Sequence, residues 1–319
     1  GWGETGWLCE MNEERKWIDK RVVATNEFLE AKRQFDISVQ VTIPNEWDRM
    51  APINIGVTAG IESNRVSPVW VEKSNYMNKV ITISKHSKDG FMNAVFQGHN
   101  KETGQPMSLK MQTEVDVVGY PVKDYEESQI ELKLEHDFNY LAVAQWGPRK
   151  NLSKIIKWFV EENYDQEVGL IIKTSIKNNS IVDRSYAAQL IHDTLSDSPK
   201  DRKCKIYLLH GDLTEQEMHA VYNHDKVKCL VSLTHGEGFG LPLFEAAYSG
   251  LPVIAPGWSG QCDFLFAPSQ TKSKNKKKKN VLKPFFAKVD FTIGPVPESA
   301  VWPGVIEKDT MWCYPSEGS

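Results

Sequence analysis

The stretch "KCLVSLTHGEGFGLPLFEAAYSGLPVIA", residues 228–255, settles how this chain is built. It opens on an apolar run of strand length and passes through a loop holding Gly236, Gly238 and Gly240. An apolar helix follows, and then a second apolar run, "LPVIA" (251–255). A strand, a glycine turn, a helix and another strand, each strand apolar along its length, is the unit of a parallel sheet covered on both faces.

The same unit repeats upstream. "NYLAVA" (139–144), "VGLIIK" (168–173) and "KIYLLH" (205–210) read as buried strands. Between them "NLSKIIKWFVEE" (151–162) places Leu152, Ile155, Ile156, Phe159 and Val160 on one helical stripe. A helix is expected around "RSYAAQLIHDTL" (184–195), and Thr214 with Glu217 forms a capping box for a helix through "EMHAVY" (217–222). In the first half "FDISVQVTIP" (35–44), "INIGVTAG" (53–60) and "NKVITIS" (78–84) read as strands. "SKDGFMNAVF" (87–96) reads as a helix, with a short strand within "EVDVVGYPV" (114–122). The fold class is therefore α/β: two Rossmann-like doubly wound domains facing a cleft, residues 1–137 and 138–319. At 319 residues the chain can bury two cores. The opening "GWGETGW" without an initiator Met and the polar tail "WCYPSEGS" read as a fragment, lacking the first strand of one domain and the end of the other.

Composition bounds the function. A net charge of −4 argues against coating nucleic acid through bulk charge. No apolar run approaches the ~18 residues of a bilayer span. Five scattered cysteines without C-x-x-C spacing read as reduced intracellular thiols, with neither a disulfide framework nor a zinc site. A cytoplasmic or membrane-peripheral location is expected.

Ligands of doubly wound sheets lie beyond the carboxyl ends of the strands. Those ends carry Gln145, Arg149 and Lys150; Lys173 and Thr174; His210 and Gly211; His235, Gly236, Glu237 and Gly238; then Pro256 and Gly257. The amides of Phe239, Gly240 and Leu241 open a helix and suit phosphate oxygens, and glycine at 238 and 240 permits close approach. An acid cannot be a phosphate ligand, so Glu237 must address a hydroxyl-rich group, and Glu245 lies two helical turns on. A sugar on a diphosphate, with a ribose behind it, fits both acids and the cations.

On these residues the chain resembles retaining glycosyltransferases of the GT-B fold, family 4 in particular. "EGFGLPLFEAAYSGLPVIA" resembles their E-x7-E segment, and "AVAQWGPRKNLSKII" their strand–loop–helix with basic residues. The resemblance spans residues 138–262 most clearly. It implies that Glu245 binds the nucleotide ribose, that Glu237 contacts the donor sugar, and that Lys150 holds the diphosphate. It further implies that the backbone at Gly238, Phe239, Gly240 and Leu241 cradles phosphate and sugar. The family places an arginine ahead of the lysine; Gln145 stands there, with Arg149 beside Lys150. Gly1 and Gly3 would be the remnant of an N-terminal glycine loop approaching the donor.

The implied reaction moves a sugar from a nucleotide-diphosphate donor to a hydroxyl acceptor (glycan, lipid or other) with retention of configuration. Cations and helix amides stabilise the departing diphosphate. No D-x-D occurs, so no metal is expected, and the nucleotide sugar is a co-substrate rather than a cofactor. Glu62, just after a strand, is the candidate base. A sugar-nucleotide epimerase or hydrolase of the same architecture, and a non-catalytic sugar-nucleotide binder, are the alternatives. "KSKNKKKK", Lys272–Lys279, reads as a solvated loop or as a contact for an anionic surface. Of ten tryptophans only Trp146 and Trp258 stand at strand tips, where a sugar could stack.

Overall fold

The computed structural model describes residues 11–99, 104–272 and 278–318, without the side chains of 270–272 and 278–280. The second half contains a six-stranded parallel sheet. Its strands are β7 (Asn139–Val143), β8 (Gly169–Lys173), β9 (Lys205–Leu209), β10 (Val227–Val231), β11 (Val253–Pro256) and β14 (Ala287–Val289), in the order β14-β11-β10-β7-β8-β9. The chain runs outward from β7 to β9, then returns and runs the other way from β10. The sheet is therefore doubly wound, with its switch point between β7 and β10.

Alternation along the strands feeds two cores. Leu141, Ile171 and Leu230 pack with α6 (Glu215–Tyr222) and α7 (Leu241–Tyr248) on one face. Ala142, Leu170 and Ile172 pack with α4 (Leu152–Asn163) and α5 (Ile181–Thr194) on the other. The five apolar residues of the α4 stripe are all buried, each worth ~1.5–3 kcal/mol relative to exposure. The capping box of Thr214 and Glu217 opens α6 as expected.

The first half has a parallel sheet ordered β1 (Ile37–Val41), β2 (Ile53–Thr58), β3 (Lys79–Thr82) and β6 (Val115–Val117). One face, with Gly56, Val80 and Val115, is covered by Trp47, by α2 (Pro68–Ser74) and by α3 (Lys85–Met92). On the other face Ile37, Val39, Val41 and Ile53 are exposed, and α1 (Glu13–Glu30) buries no residue.

Three segments depart from the sequence reading. The helix expected over 87–96 stops at Met92, with Asn93 as its C-cap, and Val95 begins β4 (Val95–His99), which pairs with β5 (Pro106–Lys110). The apolar Ala94, Val95 and Phe96 satisfy a strand as readily as a helical stripe, and the pairing partner decides. The chain also crosses between the domains twice. Ile130, Leu132 and Leu134, upstream of the expected boundary at 137, pack on the second core. At the far end β15 (Phe291–Pro295) and β16 (Met311–Pro315) form a hairpin, and Val296, Val305, Ile306 and the fully buried Trp312 enter the first core.

Candidate active site

The switch point brings the tips of β7 and β10 side by side, and the residues beyond them meet. Lys150 Nζ lies 2.6 Å from Glu237 Oε1. Arg149 Nη1 lies 3.1 Å from Glu237 Oε2 and donates to the Gly236 carbonyl at 2.7 Å. The other side of the guanidinium reaches Glu62 of the first domain, at 3.3 Å. Glu237 is only 6% exposed. Burial works against its charge, but Lys150 and Arg149 outweigh it and hold the carboxyl below its ordinary value. Burial likewise pulls the Lys150 ammonium below the usual lysine range, with Glu237 opposing.

Glu245 sits differently. It projects from α7 into an open cavity of about 530 Å³ that also receives Arg149, Lys150, Lys173, Thr174, Asp212 and Leu213. Tyr222, at the end of α6, donates its hydroxyl to Glu245 Oε2 at 2.9 Å. Protein packed around the carboxyl raises its pKa, the Tyr222 hydrogen bond pulls the other way, and Glu215 adds to the rise. Tyr222 went unread in the sequence, since nothing in a helix-terminal tyrosine announces a partner twenty-three residues on.

The wall of the cavity opposite Glu245 is pinned from behind. Asp183, buried at the start of α5, accepts the amides of Ile176, Lys177 and Asn178 and lies 2.7 Å from His210 Nε2. Those bonds, led by the one to His210, overcome the cost of burial and keep its carboxyl well below the usual range. Lys173 Nζ donates to the Gly211 carbonyl at 2.6 Å. Gln145 spends its amide on the Ile176 carbonyl at 2.7 Å and brings no charge.

The glycine loop is shaped mainly by the other domain. A Cβ on Gly236 would lie 1.9 Å from the Glu62 carbonyl oxygen, and one on Gly238 would lie 2.3 Å from that of Ala59. Close approach is required at both by first-domain backbone, and at Gly238 the sequence reading expects a ligand instead. Gly240 caps α7 at φ +95°, a left-handed conformation that suits glycine. The Phe239 side chain is buried against Tyr120, Phe244 and Phe264, and Leu241 is exposed. Gly238, Phe239, Gly240 and Leu241 do not line the cavity that holds Glu245, Arg149 and Lys150. Gly1 and Gly3 lie outside the described residues.

The remaining strand-tip candidates separate. His235 is a backbone clip: its Nδ1 lies 2.6 Å from the Cys313 carbonyl, and its ring stacks on Trp312. Trp146 packs against the core that α4 and α5 form on the other face of the second sheet. Trp258 packs edge-on to His86 of the first domain at 4.9 Å; burial drops the His86 pKa to about 4.

Residues 124–271 match the family model described as glycosyl transferases group 1. Among solved structures the chain is similar to a sucrose-phosphate synthase from Thermosynechococcus elongatus. The TM-score is 0.53 at 12% identity, over 82% of this chain and 66% of that one. It is similar to a UDP-forming α,α-trehalose-phosphate synthase from Burkholderia xenovorans, in complex with glucose-6-phosphate. Here the TM-score is 0.52 at 12% identity, over 77% and 65%. A structure of TarM from S. aureus with UDP gives a TM-score of 0.43 at 17% identity, over 68% and 39%. The chain thus spans two-fifths to about two-thirds of the length of these proteins. Among curated proteins no relative matches. The fold is that of the GT-B glycosyltransferases, and the second domain carries the group 1 glycosyltransferase match.

Proposed function

We propose that this protein is a retaining, family 4-like GT-B transferase that moves a sugar from a nucleoside-diphosphate donor to a hydroxyl acceptor. The observation that carries the reading is the cavity running from Arg149 and Lys150 to Glu245 at the switch point of the second sheet. A diphosphate at the cationic end puts the ribose hydroxyls within reach of Glu245. Arg149 and Lys150 turn toward the diphosphate as it arrives, which frees the Glu237 carboxylate for hydroxyls of the donor sugar.

In the transfer the bond between the anomeric carbon and the phosphate oxygen breaks, and the acceptor oxygen bonds to that carbon on the same face. The acceptor's proton passes to the departing phosphate oxygen. The two cations neutralise the charge that grows there, in a site already built around an anion. They are proposed to do so without a metal, and EDTA is expected to leave turnover unchanged. Glu62 is committed to Arg149, and we assign it to holding that guanidinium rather than to proton abstraction.

Calorimetric titration of UDP, GDP and ADP, and of their sugar conjugates, into wild type and Glu245→Ala tests the reading. One nucleotide is expected to bind, and the variant to lose that binding. Proton NMR of the first product then reports its anomeric configuration, and an inverted product refutes retention. A folded wild type that binds none of these nucleotides refutes the whole assignment.

A further inference from the structure

Arg149 is held by partners from both domains. Its Nη1 donates to the Gly236 carbonyl and pairs with Glu237, while its Nη2 pairs with Glu62 Oε1 at 3.3 Å. With Lys150 on Glu237, the cluster sets two cations against two carboxylates and carries no net charge. Such a cluster attracts a diphosphate weakly until a carboxylate lets go of a cation. The two acids are not equally placed to do so. Glu237 is buried and held by both cations, so its release needs sugar hydroxyls in exchange. Glu62 makes the longest of these contacts, to one cation, and its side chain is 26% exposed, so water can take over.

The loop that carries Glu62 is tied to its own domain. The Ile61 amide donates to Ser87 Oγ at 3.1 Å. The Asn64 amide donates to the Met311 carbonyl at 3.2 Å, and the Met311 amide to Asn64 Oδ1 at 2.8 Å. The carboxylate therefore stays with the first domain, and the guanidinium is the part that leaves. The carbonyl of the same Glu62 is what a Cβ on Gly236 would strike, so ion pair and backbone contact share one seam. Other joins between the domains offer no cation for a diphosphate to claim. The Cys313 amide, on the hairpin that enters the first core, donates to the His235 carbonyl at 3.0 Å. Asp263 Oδ2, on the short helix α8 (Cys262–Leu265), accepts the Lys85 amide at 2.7 Å. The hairpin of β12 (Phe266–Lys272) and β13 (Lys278–Pro284) follows, and the side chains of Lys272–Lys279 lie outside the described residues.

We propose that Glu62 is a built-in competitor of the donor diphosphate. Its carboxylate latches Arg149 across the domain boundary, and an arriving diphosphate takes the guanidinium and unlatches the seam. The proposal rests on reading the cavity as a nucleoside-diphosphate site. It lets the first domain set donor affinity without touching the donor. Coupling of this kind is reciprocal: the factor by which the latch weakens diphosphate binding is the factor by which diphosphate weakens the latch. The joins at His235 and Asp263 persist, so the seam loosens at the Glu62 loop while the domains stay together.

Calorimetry on Glu62→Gln tests the competition, with whichever of UDP, GDP or ADP binds wild type and with the matching nucleoside. The variant is expected to bind the diphosphate about two- to fivefold more tightly, as removal of a partly exposed competing ion pair should allow. The nucleoside, which lacks the phosphates, should bind both proteins alike. Glu72→Gln removes the same charge from an exposed position of α2 and should leave both affinities unchanged. Hydrogen exchange reads the latch without a nucleotide: the loop 58–63 should exchange faster in Glu62→Gln than in wild type. A cooperative melting transition verifies that the variants fold. Diphosphate binding that is equal or weaker in Glu62→Gln overturns the proposal and leaves the donor reading standing. Unchanged exchange in the loop, or equal tightening by Glu72→Gln, does the same. A wild type that binds none of the nucleotides overturns the donor reading and this proposal with it.

Discussion

Glu237 and Glu245 stand eight residues apart on one loop and helix, yet they occupy opposite kinds of site. Glu237 is sealed between Lys150 and Arg149, and its charge is stabilised. Glu245 meets an open cavity with one hydroxyl for a partner, and its charge is disfavoured. The pair shows how a short glycine turn can hold one acid in ion pairs before a ligand arrives and leave its neighbour open to the cavity.

The sharpest way to break this contrast is to remove each carboxylate in turn. Glu237→Ala leaves two cations partly buried without their anion and should cost ~3–5 kcal/mol. Glu245→Ala loses one hydrogen bond at an accessible position and should cost no more than ~1 kcal/mol. Chemical denaturation separates the two, and equal costs would show that Glu237 is not locked in solution.

The interdomain wall gives the next largest effect. Gly238→Ala sets a methyl group 2.3 Å from the Ala59 carbonyl oxygen, which real contacts do not allow, so the domains must part. A loss of ~1–3 kcal/mol is expected, with nucleotide affinity falling too. An unchanged melting curve would place the first domain elsewhere.

Acidity sharpens the contrast, because the two pKa shifts have opposite signs. The folded pKa of Glu237 is lowered, so its stabilisation is present above the unfolded value and is lost as pH falls through the folded one. The folded pKa of Glu245 is raised, so its ionisation opposes folding above that value, and falling pH relieves the penalty. Glu237→Gln should therefore flatten the loss of stability below pH ~4.5, and Glu245→Gln should flatten a shallow rise just above it. Urea midpoints measured from neutral to acid pH read both. Smallest of all, Tyr222→Phe removes the hydroxyl that favours the Glu245 charge. It should weaken nucleotide binding by a few-fold, seen by calorimetry, with stability altered by ~1 kcal/mol at most.

The second domain was legible because its local signals agree with its global fold. The stripe from Leu152 to Val160, the capping box at Thr214 and the apolar runs at 169–173 and 227–231 each point to one element. Carboxyl-end geometry then places Arg149, Lys150 and Glu237 on one rim. The first domain and the C-terminal hairpin were less legible. Trp312 offers no local sign that its core lies more than two hundred residues upstream, with Trp47, Trp70 and Phe91. Gly238 reads as a glycine for a ligand, yet it faces the Ala59 carbonyl, because a sequence does not say which backbone will face a turn.

By itself the sequence determined the alternation of strands and helices, the glycine turn and the set of residues at the strand tips. These follow from periodicity, capping and backbone freedom, which act within a few residues. Tertiary structure alone decided the pairings across the tips: Lys150 on Glu237, Arg149 on Glu62, Tyr222 on Glu245 and Asp183 on His210. The physical reason is that each pairing depends on which strands become neighbours in the sheet and how the two domains meet. That choice is made by the burial of whole faces, and no local spacing records it.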